Sequence, residues 1–576
     1  MASGESASAS GVTGAGPSRV SPAMGCGPGP LSGWKAWEAA GAMLALLAGF
    51  HFLALRVRAG GLPGGDEGSW LSVAAELARG HGFTTRWLEG HFLIPYALPR
   101  PDDFRYPALT SLLALVFRVA GCSIESARWT VTAVFLAYAA SAYLVCRSAF
   151  GRFSGMASLW LTVASLLQIE WNSVVYTEGL FGLAVAFLAA WCLHGERAAD
   201  GARVGVGKDR GLRSLSWWAV LGAGVGVLYL VRANGILFLF GVVWLYWRRR
   251  KSRLTWRHPA AAFACFGVVT GPWLIRSARY FGSPFHVAGS AGMLREAGQS
   301  HTLSVAQYFS QHQTLFPLLR VATGAVRFFE TLHFFEHGLE TVPLLLALGA
   351  LCLRRSFLGP FLGAGFLFTF AASAYIAFDS WAGVRYMSPL LPFVYAYGLS
   401  LPCAWISARS GNTVMPPLPL MARAAFRAPA GVLIILLLLL PVLGPHRYYA
   451  RKFATAPGRP PAYAYRQDLA DHLSRLTAHL PAGGRYYAGS LCKVNFLVED
   501  RDCVGLQELY DPTWFPRSLA AFHPSLIVLT HAETKDSLML AALATMRNGG
   551  YTQDTLESGP LAVYLSMRPK AGAQSP

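Results

Sequence analysis

The stretch Gly64-Gly65-Asp66-Glu67-Gly68-Ser69-Trp70 places two adjacent acids directly after the first hydrophobic span of the chain. Membrane-spanning segments avoid uncompensated carboxylates. Acids at the point where a helix leaves the bilayer are therefore either solvated loop residues or parts of a site. The choice between these interpretations depends on the composition and the charge pattern of the whole chain.

The composition is that of a polytopic membrane protein. Hydrophobic residues make up 53% of the chain and charged residues only 14%, whereas charged residues make up about 25% of a typical soluble domain. The net charge of +19 could suggest a nucleic-acid partner. However, the basic residues form short clusters between apolar spans, such as Arg248-Arg249-Arg250-Lys251, and such clusters orient membrane helices. The expected partner is the lipid bilayer, and nucleic acid is not expected.

Three segments of different composition follow one another. Residues 1–33 are rich in Gly, Ser, Ala and Pro and cannot bury a core, so we expect a disordered tail. Residues 34–445 contain the apolar spans and are predicted to form a transmembrane domain, with residues 56–127 as its first external loop. The first span, residues 37–55, begins too late for a standard cleaved signal peptide and should remain as an anchor.

Eleven apolar stretches have the roughly 17 to 25 residues needed to cross a bilayer, and they begin near residues 37, 129, 154, 178, 215, 234, 259, 341, 357, 386 and 430. A twelfth stretch, residues 106–120, is shorter, begins with Tyr106-Pro107 and contains Arg118. We interpret it as an interfacial helix. With a cytoplasmic N-terminus, this choice places nearly every basic cluster in the cytoplasm. The protein is then expected in the plasma (inner) membrane.

The same topology collects unusual polar residues on the outer face. They are Asp66, Glu67, Glu178, Arg232, Asn234, Arg276, Asp379 and Arg385. The last span, residues 431–444, then leads residues 446–576 out of the cytoplasm.

The segment 446–576 is predicted to be a small extracytoplasmic α/β domain. Residues 465–480 have helical spacing, and apolar residues alternate with polar ones at 485–488, 494–498 and 525–529, as in strands. About 130 residues are enough for an independent core. Cys492 and Cys503 could form a disulfide if this segment faces an oxidising compartment.

Asp66 is the residue best placed to carry chemistry. A carboxylate at the membrane surface can act as a general base if it reaches hydrogen-bonding distance of an attacking hydroxyl or amine. The residues after Glu67 indicate an amphipathic helix that ends at Gly80-His81-Gly82. The positive end of the helix dipole favours acids at its N-terminus, so the pair is expected to be held in place.

Five motifs together resemble a known family. The first is Asp66-Glu67 with Ala78-Arg79-Gly80-His81-Gly82-Phe83 and Arg105-Tyr106-Pro107-Ala108-Leu109. The others are Tyr176-Thr177-Glu178-Gly179-Leu180-Phe181, Val231-Arg232-Ala233-Asn234-Gly235, Gly271-Pro272-Trp273-Leu274-Ile275-Arg276 and Arg385-Tyr386-Met387-Ser388-Pro389. In this order, they resemble the GT-C glycosyltransferases, specifically the branch of the protein O-mannosyltransferases and the aminoarabinose transferase.

The resemblance implies a role for each matching position. Asp66 matches the catalytic base, Glu67 its neighbour, and Glu178 a second acid that orients the acceptor or supports a metal. Arg276 and Arg385 are suited to a lipid-linked phosphate, and the predicted substrate-binding set also includes Arg105, Tyr106, Arg232 and Asn234. Structural alternatives remain for three of them: Arg232 could end a span, Asn234 could cap a helix, and Arg385 could pair with Asp379.

The implied activity is inverting sugar transfer from a polyprenyl-phosphate donor, which needs a base but no protein nucleophile. The resembling region, residues 35–445, contains no Asp-x-Asp of the kind used by metal-dependent branches. Metal independence is therefore expected, and a divalent metal is possible but not indicated. A transporter or lipid flippase and a non-catalytic scaffold with this fold are the alternatives. The residues identify neither the sugar nor the acceptor, which could be a glycan, a lipid or a protein.

Overall fold

The structure is a computed structural model. It describes residues 36–58, 63, 66–88, 98–102, 105–203, 214–249, 254–285, 316–336, 346–347, 359–377, 382–410, 462–505, 522–531, 533–548 and 551–569. The predicted last span at 431–444, the N-terminal tail and Asp379 lie outside these residues.

Helices dominate the region up to residue 410. They are α1 (Ala36–Arg58), α2 (Glu67–Arg79), α3 (Pro107–Ala120), α4 (Ile124–Phe150), α5 (Arg152–Ala164), α6 (Leu166–Asn172), α7 (Glu178–Arg203), α8 (Leu215–Val231), α9 (Phe238–Arg249), α10 (Arg257–Phe281), α11 (Phe316–Glu336), α12 (Gly359–Ala377), α13 (Ala382–Met387) and α14 (Leu391–Ser410). Short 3-10 helices precede α9 (Ala233–Leu237) and α14 (Ser388–Leu390).

Four stretches within the described helices are long and apolar enough to cross a membrane: Glu38–Arg58, Ile124–Phe150, Glu178–Gly195 and Arg257–Phe281. Helices α3 and α8 and the segment Phe361–Tyr375 are apolar but shorter. At 14 residues, α3 is about 21 Å long and falls short of the roughly 30 Å hydrocarbon core. The interfacial orientation of α3 and the count of eleven spans stay predictions.

Local sequence explains where several helices begin and end. Gly80 ends α2 as predicted, in the left-handed conformation (φ 92°) that favours glycine. Pro107 occupies the first turn of α3, where its missing N–H is not needed. The Ser123 hydroxyl caps α4 by accepting a hydrogen bond from the backbone N–H of Ser126.

Two helical features differ from the predictions. The span expected to begin near residue 154 is divided into α5 and α6 by Ser165, whose backbone is extended and whose side chain accepts from the backbone N–H of Gln168. Helix α11 was not predicted. Its charged residues, among them Arg320, Arg327 and Glu330, interrupt the continuous apolar run by which a membrane span is recognised in a sequence.

The core of the membrane region positions the turn between α13 and α14. The Tyr138 hydroxyl donates to the carbonyl of Pro389 at 2.8 Å, and Gln168 Nε2 donates to the carbonyl of Ser388 at 2.6 Å. The Ser158 hydroxyl donates to the carbonyl of Pro392 at 2.5 Å. Pro392 has no N–H to donate to the Ser388 carbonyl four residues earlier, and the buried Gln168 side chain of α6 supplies that hydrogen bond.

The C-terminal region contains α15 (Ala462–His479), a 3-10 helix (Ser490–Leu497), a short 3-10 turn (Glu533–Lys535) and α16 (Ser537–Asn548). Its strands are β4 (Arg485–Ala488), β5 (Asp502–Gly505), β6 (Leu526–Thr530), β7 (Tyr551–Ser558) and β8 (Ala562–Pro569). The predicted helix at 465–480 and strands at 485–488 and 525–529 are confirmed, within a few residues at each end. The strand predicted at 494–498 is wrong, because a short apolar run does not distinguish a strand from a helical segment.

The segment between α2 and α3, in the predicted first external loop, contributes three short strands: β1 (Thr84–Thr85), β2 (Trp87–Leu88) and β3 (Arg100–Pro101). Strands β1 and β3 pair with each other, whereas β2 joins the C-terminal strands in one sheet of order β2-β5-β4-β6-β8-β7. Strands β2, β5, β4 and β6 are parallel to one another. Strand β8 is antiparallel to β6, and β7 is antiparallel to β8. The C-terminal sheet is thus completed by a strand from the other end of the chain. A disulfide joins Cys492 to Cys503.

Candidate active site

Asp66 lies at the start of α2 and contacts two arginines from distant parts of the chain. Its Oδ1 is 3.3 Å from Nη2 of Arg105, and its Oδ2 is 3.1 Å from Nη1 of Arg385. Arg105 is itself held by Ser69, whose hydroxyl accepts from Nε at 2.8 Å. The first loop and α13 therefore meet at this carboxylate.

The ion pairs continue beyond Asp66. Arg385 Nε lies 2.6 Å from Oε1 of Glu178, and Arg232 Nη1 lies 3.2 Å from the same oxygen. The five side chains form a row of alternating charge, in the order Arg105, Asp66, Arg385, Glu178, Arg232. Three arginines and two carboxylates leave this row with a net charge of +1, which favours the approach of an anion.

The arginines of this row control the ionisation of Asp66. Burial raises the pKa of the carboxyl, but the nearby charges of Arg105 and Arg385 outweigh burial and hold the pKa well below its usual range. Asp66 is consequently a carboxylate at any physiological pH. The same arginines also make it a weak base while both stay in contact with it.

Aromatic rings support two of the arginines from behind. The guanidinium of Arg385 lies 4.2 Å from the centre of the Tyr176 ring, and that of Arg232 lies 3.9 Å from the Tyr386 ring. Both arrangements are cation–π contacts. Burial raises the pKa of Tyr176 to about 12, so this phenol stays neutral beside the two acids.

Glu67 is fully buried next to Asp66 and is engaged on both oxygens. Arg128 of α4 donates to both, from Nε and Nη2, at 2.8 Å each. The backbone N–H of Val175 donates to Oε1 at 3.1 Å. Glu67 thereby ties α2 to α4 and to the turn that precedes Glu178. Sequence reasoning missed Arg128, although an arginine near the start of an apolar span was itself a signal.

Two other predicted residues, Tyr106 and Arg276, contact neighbouring elements. Tyr106 is buried at the start of α3, with its ring 5.4 Å from that of Tyr229. Arg276 donates from Nη2 to the carbonyl of Phe83 at 2.8 Å, and its guanidinium lies 4.7 Å from the Trp273 ring. Arg276 thus holds the first loop against α10.

Asn234 is buried in the 3-10 turn between α8 and α9. Within the part of the chain that the structure describes, neither polar atom of its side chain has a hydrogen-bond partner. The capping role considered for Asn234 is therefore not supported, and its amide retains its full bonding capacity beside Arg232.

No group of three or more His, Cys, Asp or Glu side chains gathers as metal ligands among the described residues. Metal independence stays a prediction. The ring nitrogen Nδ1 of His81 lies 2.9 Å from Oε2 of Glu76.

Neither a family model nor a curated protein matches the sequence of this chain. Solved structures do match its fold. ArnT from Cupriavidus metallidurans bound to undecaprenyl phosphate superposes with a TM-score of 0.54 at 14% identity, over 92% of this chain and 98% of that one. The Archaeoglobus fulgidus oligosaccharyltransferase tethered with an acceptor peptide gives a TM-score of 0.59 at 14% identity, over 92% of this chain and 74% of that one.

A further structure is the oligosaccharyltransferase AglB from Archaeoglobus fulgidus, in complex with an inhibitory peptide and a dolichol-phosphate. It gives a TM-score of 0.54 at 12% identity, over 94% of this chain and 75% of that one. These proteins are GT-C glycosyltransferases, and this chain has their fold.

Proposed function

We propose that this chain, which has the GT-C fold, is an inverting glycosyltransferase. It moves a sugar from a polyprenyl-phosphate donor to an acceptor on the extracytoplasmic face of the plasma membrane, with Asp66 as general base. The observation that carries this proposal is the contact of Asp66 with Arg105 and Arg385. It places an ionised carboxylate beside cations suited to a phosphate.

The proposed reaction is a single displacement. The acceptor gives its proton to an oxygen of Asp66 as its oxygen or nitrogen forms a bond to the anomeric carbon of the sugar. The bond from that carbon to the phosphate oxygen breaks on the opposite side, and its electron pair leaves with the polyprenyl phosphate. Inversion follows from this geometry, and no covalent enzyme intermediate is needed.

Arg385 links donor binding to the strength of the base. A donor phosphate accepts hydrogen bonds from Arg385 and thereby weakens the ion pair between Arg385 and Asp66. Losing a neighbouring positive charge raises the pKa of a carboxylate. Asp66 then becomes a stronger base when the leaving group is in place.

Glu67 and Glu178 have supporting parts in this proposal. Glu67 acts as a positioning residue, since Arg128 and the backbone of Val175 occupy its oxygens. Glu178 spaces Arg232 and Arg385 and orients the acceptor. Tyr106 and Arg276 support the wall of the site, and Asn234 offers its amide to a sugar hydroxyl.

The similar structures support a lipid-linked donor at the level of fold. One was solved with undecaprenyl phosphate and another with a dolichol-phosphate and a peptide. The proposed orientation has a cytoplasmic N-terminus and an extracytoplasmic C-terminal region, and the disulfide between Cys492 and Cys503 suits such a compartment.

The decisive experiment compares the wild-type chain with Asp66→Asn. Membranes that contain either form are supplied with polyprenyl-phosphate hexoses or pentoses, and mass spectrometry follows the mass gained by envelope glycans, lipids and proteins. We expect transfer by the wild type and loss of at least about 100-fold in the variant. Equal transfer by both would remove Asp66 as the base. No transfer by the wild type with any donor would favour a transporter or a scaffold.

A further inference from the structure

The C-terminal region contacts the catalytic loop through paired strands. Strand β2 of the loop is parallel to β5, with Trp87 opposite Cys503 and Leu88 opposite Val504. The backbone N–H of Cys503 donates to the carbonyl of Arg86 at 2.9 Å. Residues 87–88, which follow α2 and β1 in the chain, therefore form an edge strand of the C-terminal sheet.

A second contact lies at the other end of α2. A Cβ atom added at Gly68 would lie 2.8 Å from Cβ of Lys493 and 2.9 Å from its carbonyl oxygen. The backbone of the 3-10 helix 490–497 thus rests on the first turn of α2, two residues from Asp66. At the far end of α2, Arg79 donates to the carbonyl of Phe496 at 2.9 Å.

The disulfide joins these two contacts. Cys492 precedes Lys493, which touches α2, and Cys503 lies opposite Trp87 in β2. The two cysteines are 11 positions apart, so the crosslink closes a short loop of chain and limits its freedom. The disulfide therefore links the 3-10 helix that packs on α2 to the strand that pairs with β2.

Arg86 adds charge to the same junction. Its guanidinium contacts Glu76 of α2 at 3.2 Å, Asp500 at 2.9 Å and Asp502 at 3.2 Å. One arginine thus connects α2, β2 and the loop closed by the disulfide. The side chains of Arg86, Glu76 and Asp502 are largely buried, so these two pairs are screened less by solvent than the pair with Asp500, which is 57% exposed.

We propose that the Cys492–Cys503 crosslink and Arg86 are positioning residues that hold Asp66 between its two arginines. The proposal rests on the function assigned to Asp66 and extends it to residues far from the reacting atoms. A catalytic carboxylate must be held to a fraction of an ångström, since a misplacement of about 1 Å can cost about 100-fold in rate. Asp66 lies at the start of α2, and the C-terminal region contacts this helix at both ends, at Gly68 and at Arg79.

The first test removes the crosslink with the double variant Cys492→Ala/Cys503→Ala. Hydrogen exchange measured by mass spectrometry should show faster exchange in peptides covering α2 and β2 and unchanged exchange in α8 and α10. The value of kcat should fall by about 10- to 100-fold with little change in the KM for the donor. The matched control is Cys265→Ala, which removes a free cysteine of α10 and should change neither quantity.

Unchanged exchange in α2 would overturn the proposal, and so would a uniform increase across all helices, because that is the signature of global destabilisation. If the wild type transfers no sugar, the function assigned to Asp66 fails, while the exchange measurement still decides whether the junction holds α2.

A second pair of variants covers the case in which the crosslink-free chain does not fold. Arg86→Gln should reproduce the faster exchange of α2 and the fall in kcat. Arg86→Lys keeps the charge but not the planar guanidinium that reaches three carboxylates, so it should restore only part of both. Exchange in α2 and a kcat equal to those of the wild type in Arg86→Gln would overturn the positioning role of Arg86.

Discussion

Asp66 and Arg385 are 319 positions apart in the chain, and their side chains meet at 3.1 Å between Oδ2 and Nη1. Arg385 also lies 2.6 Å from Oε1 of Glu178, so one guanidinium is shared by two carboxylates. A third anion that arrives at this guanidinium must compete with both acids. In the proposed reaction, this single side chain links the donor phosphate to the base Asp66.

Arg385 is expected to contribute to both donor binding and rate. Arg385→Gln should lower kcat/KM by about 100- to 1,000-fold, similar to the loss of one donor that stabilises a developing anion. The measurement is transfer from a polyprenyl-phosphate sugar at several donor concentrations. Arg279→Gln, which changes an exposed arginine of α10, is the control and should stay within about twofold of wild type. Full activity of Arg385→Gln would contradict its role at the phosphate.

The pH dependence of stability should report the ion pairs of Asp66. A carboxyl whose native pKa is depressed stabilises the fold above its unfolded pKa of about 3.9 and loses this effect as the pH falls through the native pKa. Asp66→Asn should therefore lower the Tm by a constant amount near neutral pH. The difference should shrink only below about pH 3.9. Thermal unfolding in detergent measures this, and a difference that vanishes near neutral pH would contradict the depressed pKa.

Glu67 is expected to matter for stability more than for chemistry. Glu67→Gln leaves Arg128 buried without its charge partner, which typically costs about 3–5 kcal/mol. Replacing both residues, as in Glu67→Leu/Arg128→Met, should recover much of this loss because no buried charge remains. Denaturant unfolding compares the two variants. A double variant no more stable than Glu67→Gln would show that the ion pair is not the source of the loss.

Gly68 tests the contact between α2 and the C-terminal region. Gly68→Ala forces a Cβ to within 3 Å of the Lys493 backbone, so the two segments must separate by a few tenths of an ångström. We expect a lower kcat and a lower Tm. Gly267→Ala places its Cβ in open space within α10 and should be neutral or slightly stabilising. If both variants behave alike, the close approach at Gly68 does not matter.

Asn234 should show opposite effects on stability and binding. Its amide makes no hydrogen bond to the residues that the structure describes, so Asn234→Ala removes no internal bond and relieves the cost of a buried polar group. We expect an unchanged or higher Tm and weaker binding of the sugar-bearing donor, with unchanged binding of polyprenyl phosphate alone. A calorimetric titration with each lipid checks this. Equal weakening with both lipids would assign Asn234 to the phosphate instead.

Sequence reasoning predicted the elements whose signals are local. The acid pair, the helix that ends at Gly80 and the strands at 485–488 and 525–529 follow from spacing and from turn residues. The prediction that Asp66, Glu178, Arg232 and Arg385 lie on the same face of the membrane follows from basic clusters elsewhere in the chain. These clusters orient the spans, and the spans determine which loops share one face of the membrane.

Features that depend on distant partners could not be predicted in this way. The two-residue strand β2 is too short for any periodicity, and it exists only because β5 lies beside it. Arg128 is explained by Glu67, 61 positions earlier. The 3-10 helix at 490–497 carries the apolar residues of a strand, but it forms a disulfide to Cys503 and packs on α2, and neither contact is visible in its local sequence.

The pairing of Arg86 with Asp502 spans 416 positions, and this distance has a consequence for biosynthesis. The ribosome completes residues 66–88 long before residue 502 is made, so the loop that carries Asp66 must wait for the last part of the chain. A truncated product would insert its first helices in the membrane and still lack the partner of β2. The contacts that β2 and Arg86 make with β5 can therefore form only after residues 502–504 have been synthesised.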